Sequence, residues 1–185
     1  MSVATPKIQD PPLHYRHWAS PVGPLLLYGT DRSLWGLDFP VDGHGREPRP
    51  GWIRDRSGFP QVICQLTEYF ARKRRRFSLP FTLDGTPFQL AVWSALGRIP
   101  YGETRSYRDV AQAIRRPKAV RAVGAANGHN PIPIIIPCHR VIGAQGDLVG
   151  FGGGLALKRF LLELEGIRTR TSRITPGSVE AVLRP

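Results

Sequence analysis

Three shortages bound what this chain can be. Cysteine is nearly absent: among 185 residues only Cys64 and Cys138 occur, far apart and in unlike surroundings. That excludes a disulfide framework and a thiolate zinc site, which needs more ligands at short spacing. It also fits a reducing compartment. Long apolar runs are missing too. No stretch approaches the roughly 20 apolar residues needed to span a bilayer, and the opening MSVATPKIQDPP has no apolar signal core. A cytoplasmic protein with no membrane partner is expected. Acidic residues are the third shortage, 14 Asp and Glu against 26 Lys and Arg, a formal net charge of +12. Basic excess promotes association with polyanions and says nothing about fold. Residues 85–170 hold twelve Lys/Arg against five Asp/Glu; residues 1–84 hold twelve against eight, and five of those twelve sit in one run at 72–76. The later half is the more evenly basic. Nucleic acid is the first partner to consider and an anionic membrane surface the second.

What is present divides the chain in two. Between 14 and 39, three apolar stretches (14–18, 25–28 and 34–39) are separated by the turn-forming SPVGP and GTD. Three short strands in an antiparallel meander are expected. Residues 40–58 are rich in Gly, Pro and Arg and read as a long loop. Pro60 suits the first position of a helix, and Val62, Ile63, Leu66, Tyr69 and Phe70 mark its apolar face. Cys64 falls inside that helix and is read as packing; the run at 72–76 is read as its solvated end. Asp84-Gly85 punctuates the change to a second unit.

From there helices dominate. Thr86 and Pro87 open one that Gly97 stops; Ser106 and Asp109 form a capping-box-like pair opening another over 107–114; Pro117 precedes a third over 118–127. Two short helices joined by a tight basic link resemble a helix-turn-helix, a weak signal by itself. A last helix is expected over 155–165, ended by Gly166. The expected division is 1–84, 85–170 and a flexible tail at 171–185. The residue pattern that organises the rest is PIPIIIP at 131–137 followed by Cys138-His139-Arg140-Val141 and the glycine-rich IGAQGDLVGFGGG. It reads as an extended strand, held straight by prolines, that delivers a thiol to a turn beside an imidazole. A free thiol is mostly protonated at neutral pH and needs a base or positive charge to act as a nucleophile. No Lys-Ser/Thr follows the glycines, so a nucleotide-phosphate loop is not indicated.

These residues also carry a resemblance. Ile99-Pro-Tyr-Gly-Glu, Ser106-Tyr107, Arg121-Ala-Val-Gly, Asn130-Pro, Pro137-Cys138-His139-Arg140-Val141, Gly152-Gly-Gly, Lys158 and Glu165-Gly together closely resemble the O6-alkylguanine-DNA alkyltransferases, over residues 86–166. The resemblance implies an α/β protein: a small N-terminal, ribonuclease-H-like antiparallel-sheet domain and a helical, winged-helix-like C-terminal domain that binds DNA. It implies irreversible transfer of an alkyl group from O6 of a flipped-out guanine to Cys138, with O4 of thymine left open. His139 would take the thiol proton through a water, oriented by Glu165. Asn130 would brace the loop, and Tyr107 would give a proton to the leaving guanine. Arg121 would fill the place of the extruded base, with Gly124 and Ala125 letting their helix approach the minor groove. Pro133, Val141, Phe151 and Gly152 would wall the pocket.

Three departures accompany the likeness. Phe151 stands where many relatives have tyrosine, Gly152 where some have serine, and the zinc-binding cysteines of some relatives are missing, so neither metal nor cofactor is expected. The expected partner is double-stranded DNA containing O6-alkylguanine, met by an intracellular, nucleoid-associated monomer, with cooperativity left open. A lesion-binding relative without a working cysteine and a helix-turn-helix regulator with a structural thiol are the rivals.

Overall fold

The computed structural model describes residues 13–40 and 46–168; the lead-in at 1–12, His44 and the tail at 171–185 lie outside the described residues. Strands β1 (His14–Ser20), β2 (Gly23–Thr30) and β3 (Ser33–Asp38) form the expected meander. β1 and β2 pair from His14↔Gly29 to Ser20↔Gly23 around a turn where Gly23 takes φ 95°. β2 is central, and Leu25, Leu26 and Leu27 are all buried. The stretch read as a loop adds a fourth strand, β4 (Ile53–Arg54), parallel to β1, so the order is β3-β2-β1-β4 and the sheet is mixed rather than antiparallel. Backbone bonds hold it, Ile53 N–H to Leu13 O and Asp55 N–H to Tyr15 O, both 2.9 Å. A two-residue strand leaves no alternation in the sequence to be read.

Helix α1 (Pro60–Phe70) starts on Pro60 and buries Val62, Leu66 and Tyr69 in the core. Cys64 corrects the packing expectation: it is exposed. Two residues beyond Val62 is more than half a turn around the helix, so it faces water. The helix ends in a Schellman turn. Arg72 sits at φ 59°, its N–H on Tyr69 O and the Lys73 N–H on Glu68 O. The basic run therefore follows the helix instead of ending it.

In the second unit α2 (Pro87–Gly97) and α3 (Tyr107–Ala113) both open on capping boxes, Thr86 with Gln89 and Ser106 with Asp109. α4 (Val120–Gly128) starts two residues later than expected, because 117–118 make a turn closed by the Ala119 N–H on Arg116 O at 2.8 Å. Trp93 Nε1 donates to Ala126 O at 2.9 Å and ties α2 to α4. Strands β5 (Arg105–Ser106) and β6 (Val141–Ile142) pair in parallel, and α5 (Gly154–Leu164) closes the unit. Buried residues of both halves form one continuous core.

The largest correction concerns 131–137. It is a tight turn and not an extended strand: Pro133 bridges to Ile136, the Ile136 N–H bonds Ile132 O at 2.9 Å, and Ile134 takes φ 73°. A strand would turn alternate side chains to opposite faces, whereas the coiled path buries all four isoleucines. A β-branched residue at positive φ costs about 1–3 kcal/mol and persists only where its surroundings over-determine it. Asn130 supplies part of that constraint, donating from Nδ2 to Ile136 O (2.7 Å) and accepting at Oδ1 from the Ile132 N–H (3.2 Å). The edge of β3 supplies more, Leu37 N–H to Pro131 O at 2.9 Å. Cys138 follows at the start of a single 3-10 turn, Cys138–Arg140.

Candidate active site

The site is organised around a buried carboxylate. Glu165 is the C-cap of α5, and Gly166 beyond it takes φ 85° in a second Schellman turn, its N–H on Glu163 O and that of Ile167 on Leu162 O. That turn fixes the direction of the Glu165 side chain. Oε1 accepts from Tyr69 Oη (2.8 Å), His139 Nε2 (2.8 Å) and Arg140 Nη2 (2.9 Å); Oε2 accepts from Arg140 Nε (2.8 Å) and the Gly102 N–H (3.1 Å). Arg140 also donates from Nη1 to Ile99 O at 2.6 Å. Burial works to raise the Glu165 carboxyl, yet the bonds and charges of His139 and Arg140 outweigh it and hold the group down to about 2.

An ionised Glu165 decides the tautomer of His139. Nε2 must carry the proton, which leaves Nδ1 a bare lone pair. His139 is fully buried, and Nδ1 has no hydrogen-bond partner. Burial lowers the imidazole below its ordinary value, against the opposing pull of Glu165, so the ring is neutral at neutral pH and free to accept. Next to it, burial pushes the Cys138 thiol up to about 11, opposed in part by the Asn130 side chain, Lys158 and the backbone N–H groups of residues 138 and 139. Thiol and imidazole are both uncharged at rest.

Cys138 is 4% exposed, and the opening onto it is a cavity of ≈ 150 Å³. Pro133, Asn130, Phe151 and Gly152 line it, as do Asn127 and, from the N-terminal half, Phe39. The Phe39 and Phe151 rings stand 5.4 Å apart. Asp38 and Arg46, also on the wall, pair at 3.5 Å. This space is well below the about 300–1,000 Å³ of drug-sized sites and suits one flat ring system. Clefts of ≈ 380 and ≈ 660 Å³ lie elsewhere and are lined by no cysteine. Val141 is not on the cavity wall; it is buried in β6.

Behind the cavity, Tyr107 begins α3 and lays its ring against Gly124 of α4. Its hydroxyl donates to Val149 O at 3.3 Å, and burial, with Cys138 nearby, raises its pKa. Lys158 donates to the same Val149 carbonyl at 2.7 Å; burial brings its ammonium down to about 8, against the pull of Cys138. Arg121 and Ala125 lie on the open face of α4, whereas Gly124 is half-buried and turned toward Tyr107.

Reading residues one by one left several of these groups without a role. Tyr69 looked like one more apolar position of α1, though a buried phenol normally needs a partner. Arg140 and Lys158 were visible inside the motif and unassigned. Lys158 carried a signal of its own: it shares the buried stripe of α5 with Leu161, Leu162 and Glu165, and a charge on such a stripe calls for a partner.

Together these features define a two-part α/β protein that presents one deeply set thiol, with a neutral imidazole held by a saturated carboxylate, beneath an open helix of small and basic residues. Comparison with known proteins narrows the class. Residues 13–83 match the family described as 6-O-methylguanine DNA methyltransferase, ribonuclease-like domain, and residues 87–167 its DNA binding domain. The chain belongs to the O6-methylguanine-DNA methyltransferase family. It is 49% identical over 160 residues to the methylated-DNA–protein-cysteine methyltransferase of Mycobacterium leprae, covering 86% of this chain and 96% of that protein. The protein of the same name from Methanosarcina barkeri is 49% identical over 154 residues, covering 83% and 97%. A crystal structure of Mycobacterium tuberculosis OGT in complex with DNA superposes with a TM-score of 0.77 at 51% identity, over 82% of this chain and 92% of that one. No helix among the described residues is long and apolar enough to cross a membrane.

Proposed function

We propose that this protein repairs DNA directly, moving an alkyl group from O6 of guanine to Cys138, once per molecule. The working frame is an intracellular, nucleoid-associated monomer whose units meet at 84/85. The observation that carries the reading is the Cys138 thiol on the wall of a ring-sized cavity, followed in the chain by a buried His139 whose Nε2 is held by Glu165 and whose Nδ1 has no protein partner. Through one water, Nδ1 takes the Cys138 proton, and the imidazolium formed is balanced by Glu165. The sulfur attacks the alkyl carbon; the S–C bond forms as the C–O6 bond breaks. Tyr107 releases its hydroxyl from Val149 and protonates a ring nitrogen of the departing guanine, a step typically worth 10²–10⁴-fold. The tyrosinate recovers its proton from the imidazolium through solvent. The thioether has no easy route back.

Access requires the nucleotide to leave the stack. A damaged, poorly paired base costs less to extrude, and Arg121 on the open face of α4 is placed to occupy the gap, with Ala125 letting the helix come close. Phosphate contacts from the basic unit should be sequence-tolerant and salt-sensitive. Intact-protein mass after incubation with an O6-methylguanine duplex tests the reading. A single methyl increment, mapped to Cys138 and abolished in Cys138→Ala while duplex binding survives, is the expected outcome. Binding without an increment would support a lesion-binding or regulatory protein instead. A variant that no longer binds would mean the cysteine is structural.

A further inference from the structure

We propose that Tyr69, on the helix of the N-terminal half, is a positioning residue for the transfer: its hydroxyl holds Glu165 Oε1 and so sets how strongly the carboxylate draws on His139. The proposal rests on the transfer reading above and adds a residue that no motif of the C-terminal unit contains.

Three donors compete for that one oxygen, Tyr69 Oη at 2.8 Å, His139 Nε2 at 2.8 Å and Arg140 Nη2 at 2.9 Å. Tyr69 is 0% exposed, with the rings of Phe70, Phe77 and Tyr101 packed around it at 5.5, 5.5 and 6.2 Å. Its phenol cannot swing to another acceptor, and burial together with Glu165 raises it so far that it stays a donor at every working pH. The other groups facing the pair are Arg140 on the 3-10 turn, Lys158 on α5, and Tyr101 and the Gly102 N–H before β5, with Arg72 and Arg75 acting on Tyr101 from outside. Among the described residues, Tyr69 alone donates to the carboxylate from the N-terminal half.

Charge given to one hydrogen bond is charge withheld from another at the same oxygen. Without the phenol, Glu165 favours the imidazolium more, His139 holds its proton to higher pH, and less of the neutral base is present below neutrality. The acid limb of the transfer profile should therefore move to higher pH in Tyr69→Phe. The control is Tyr101→Phe, which removes the neighbouring hydroxyl from Leu164 O (3.0 Å) without touching the carboxylate. Both variants lose one phenol hydrogen bond, buried at Tyr69 and part-buried at Tyr101; only one should move the limb.

Single-turnover transfer to an O6-methylguanine duplex, followed across pH, reads this out together with the titration of the labelled His139 imidazole by NMR. Tyr69→Phe should be about threefold slower than wild type at a fixed pH on the acid limb, with a smaller change on the plateau; Tyr101→Phe should leave the limb in place. A uniform slowing at all pH, or equal shifts in both variants, would overturn the proposal. Should wild type transfer nothing, the function above fails, while the His139 titration still decides: an imidazole unmoved by Tyr69→Phe ends the idea. If the phenylalanine variant does not fold, 3-fluorotyrosine at position 69 strengthens the donor and must move the titration the opposite way.

Discussion

The two sides of the His139 ring are built on opposite plans. Toward Glu165 every acceptor is filled: five hydrogen bonds converge on one buried carboxylate from α1, the 101–102 turn and the 3-10 turn. On the other side less is filled: Nδ1 has no protein partner, nor has Oδ1 of Asn127 on the cavity wall, and burial holds the Cys138 thiol in its neutral form. Buried polar groups are normally paired, and each exception costs about 1–3 kcal/mol. The saturated side fixes the imidazole; the other leaves an acceptor without a protein partner. Stability and reactivity are thereby placed on different faces of one imidazole, and the two can be attacked separately.

The heaviest blow to the saturated side is Glu165→Gln. An amide cannot accept from every donor now on the carboxylate, and it leaves the buried Arg140 charge short of its counter-ion. Removing one partner of a buried pair costs about 3–5 kcal/mol, and with the base misoriented the transfer rate should fall by about 10²–10⁴-fold. Urea unfolding and single-turnover kinetics measure the two losses. The same carboxylate gives the comparison a pH signature. Glu165 is held to about 2 against an ordinary value of 4.5, so its contribution is complete above about 4.5 and is lost as pH falls toward about 2. That window is worth about 3 kcal/mol. Wild type should lose stability steeply there and Glu165→Gln should lose less; parallel slopes would refute the assignment.

Tyr107→Phe tests the unsatisfied side alone. It deletes one half-buried hydroxyl, bonded only at 3.3 Å to Val149 O, so unfolding free energy should change by about 1 kcal/mol or less. Transfer should slow by about 10²-fold, with duplex affinity nearly unchanged. Equal rates would remove the tyrosine from the chemistry. A large stability loss would move it to the saturated side.

How much of this contrast the sequence disclosed follows from chain distance. Local patterns announced themselves: the meander, Pro60, the cap at Thr86, the capping box at Ser106, and Gly166 all depend on neighbours within a few residues. The motif likewise brought forward Cys138, His139 and Glu165. The saturation of Glu165 did not show, because its donors Tyr69, Gly102 and Arg140 lie 96, 63 and 25 residues away, and no short-range spacing encodes such a meeting. The tight turn at 131–137 escaped for a related reason. Proline and isoleucine favour extended backbone locally, and only the pull of the core on all four isoleucines, with Asn130 clamping both ends, overrides that preference.

The two cysteines give the comparison its smallest and most direct test. Cys64 is exposed on α1, while Cys138 is buried, with its thiol pushed up to about 11. A small, unselective electrophile depends on access and on thiolate; Cys64 is the exposed thiol, and burial holds Cys138 in its neutral form. Iodoacetamide at neutral pH, read by peptide mapping, should therefore mark Cys64 first, by about tenfold or more. An O6-methylguanine duplex should reverse the order completely, leaving Cys64 bare and placing the methyl on Cys138. That reversal cannot come from access to solvent, which ranks the pair the other way. It has to come from the cavity, the bare Nδ1 and a base delivered to them. If iodoacetamide and the duplex instead prefer the same cysteine, the unsatisfied side of His139 contributes no selectivity of its own.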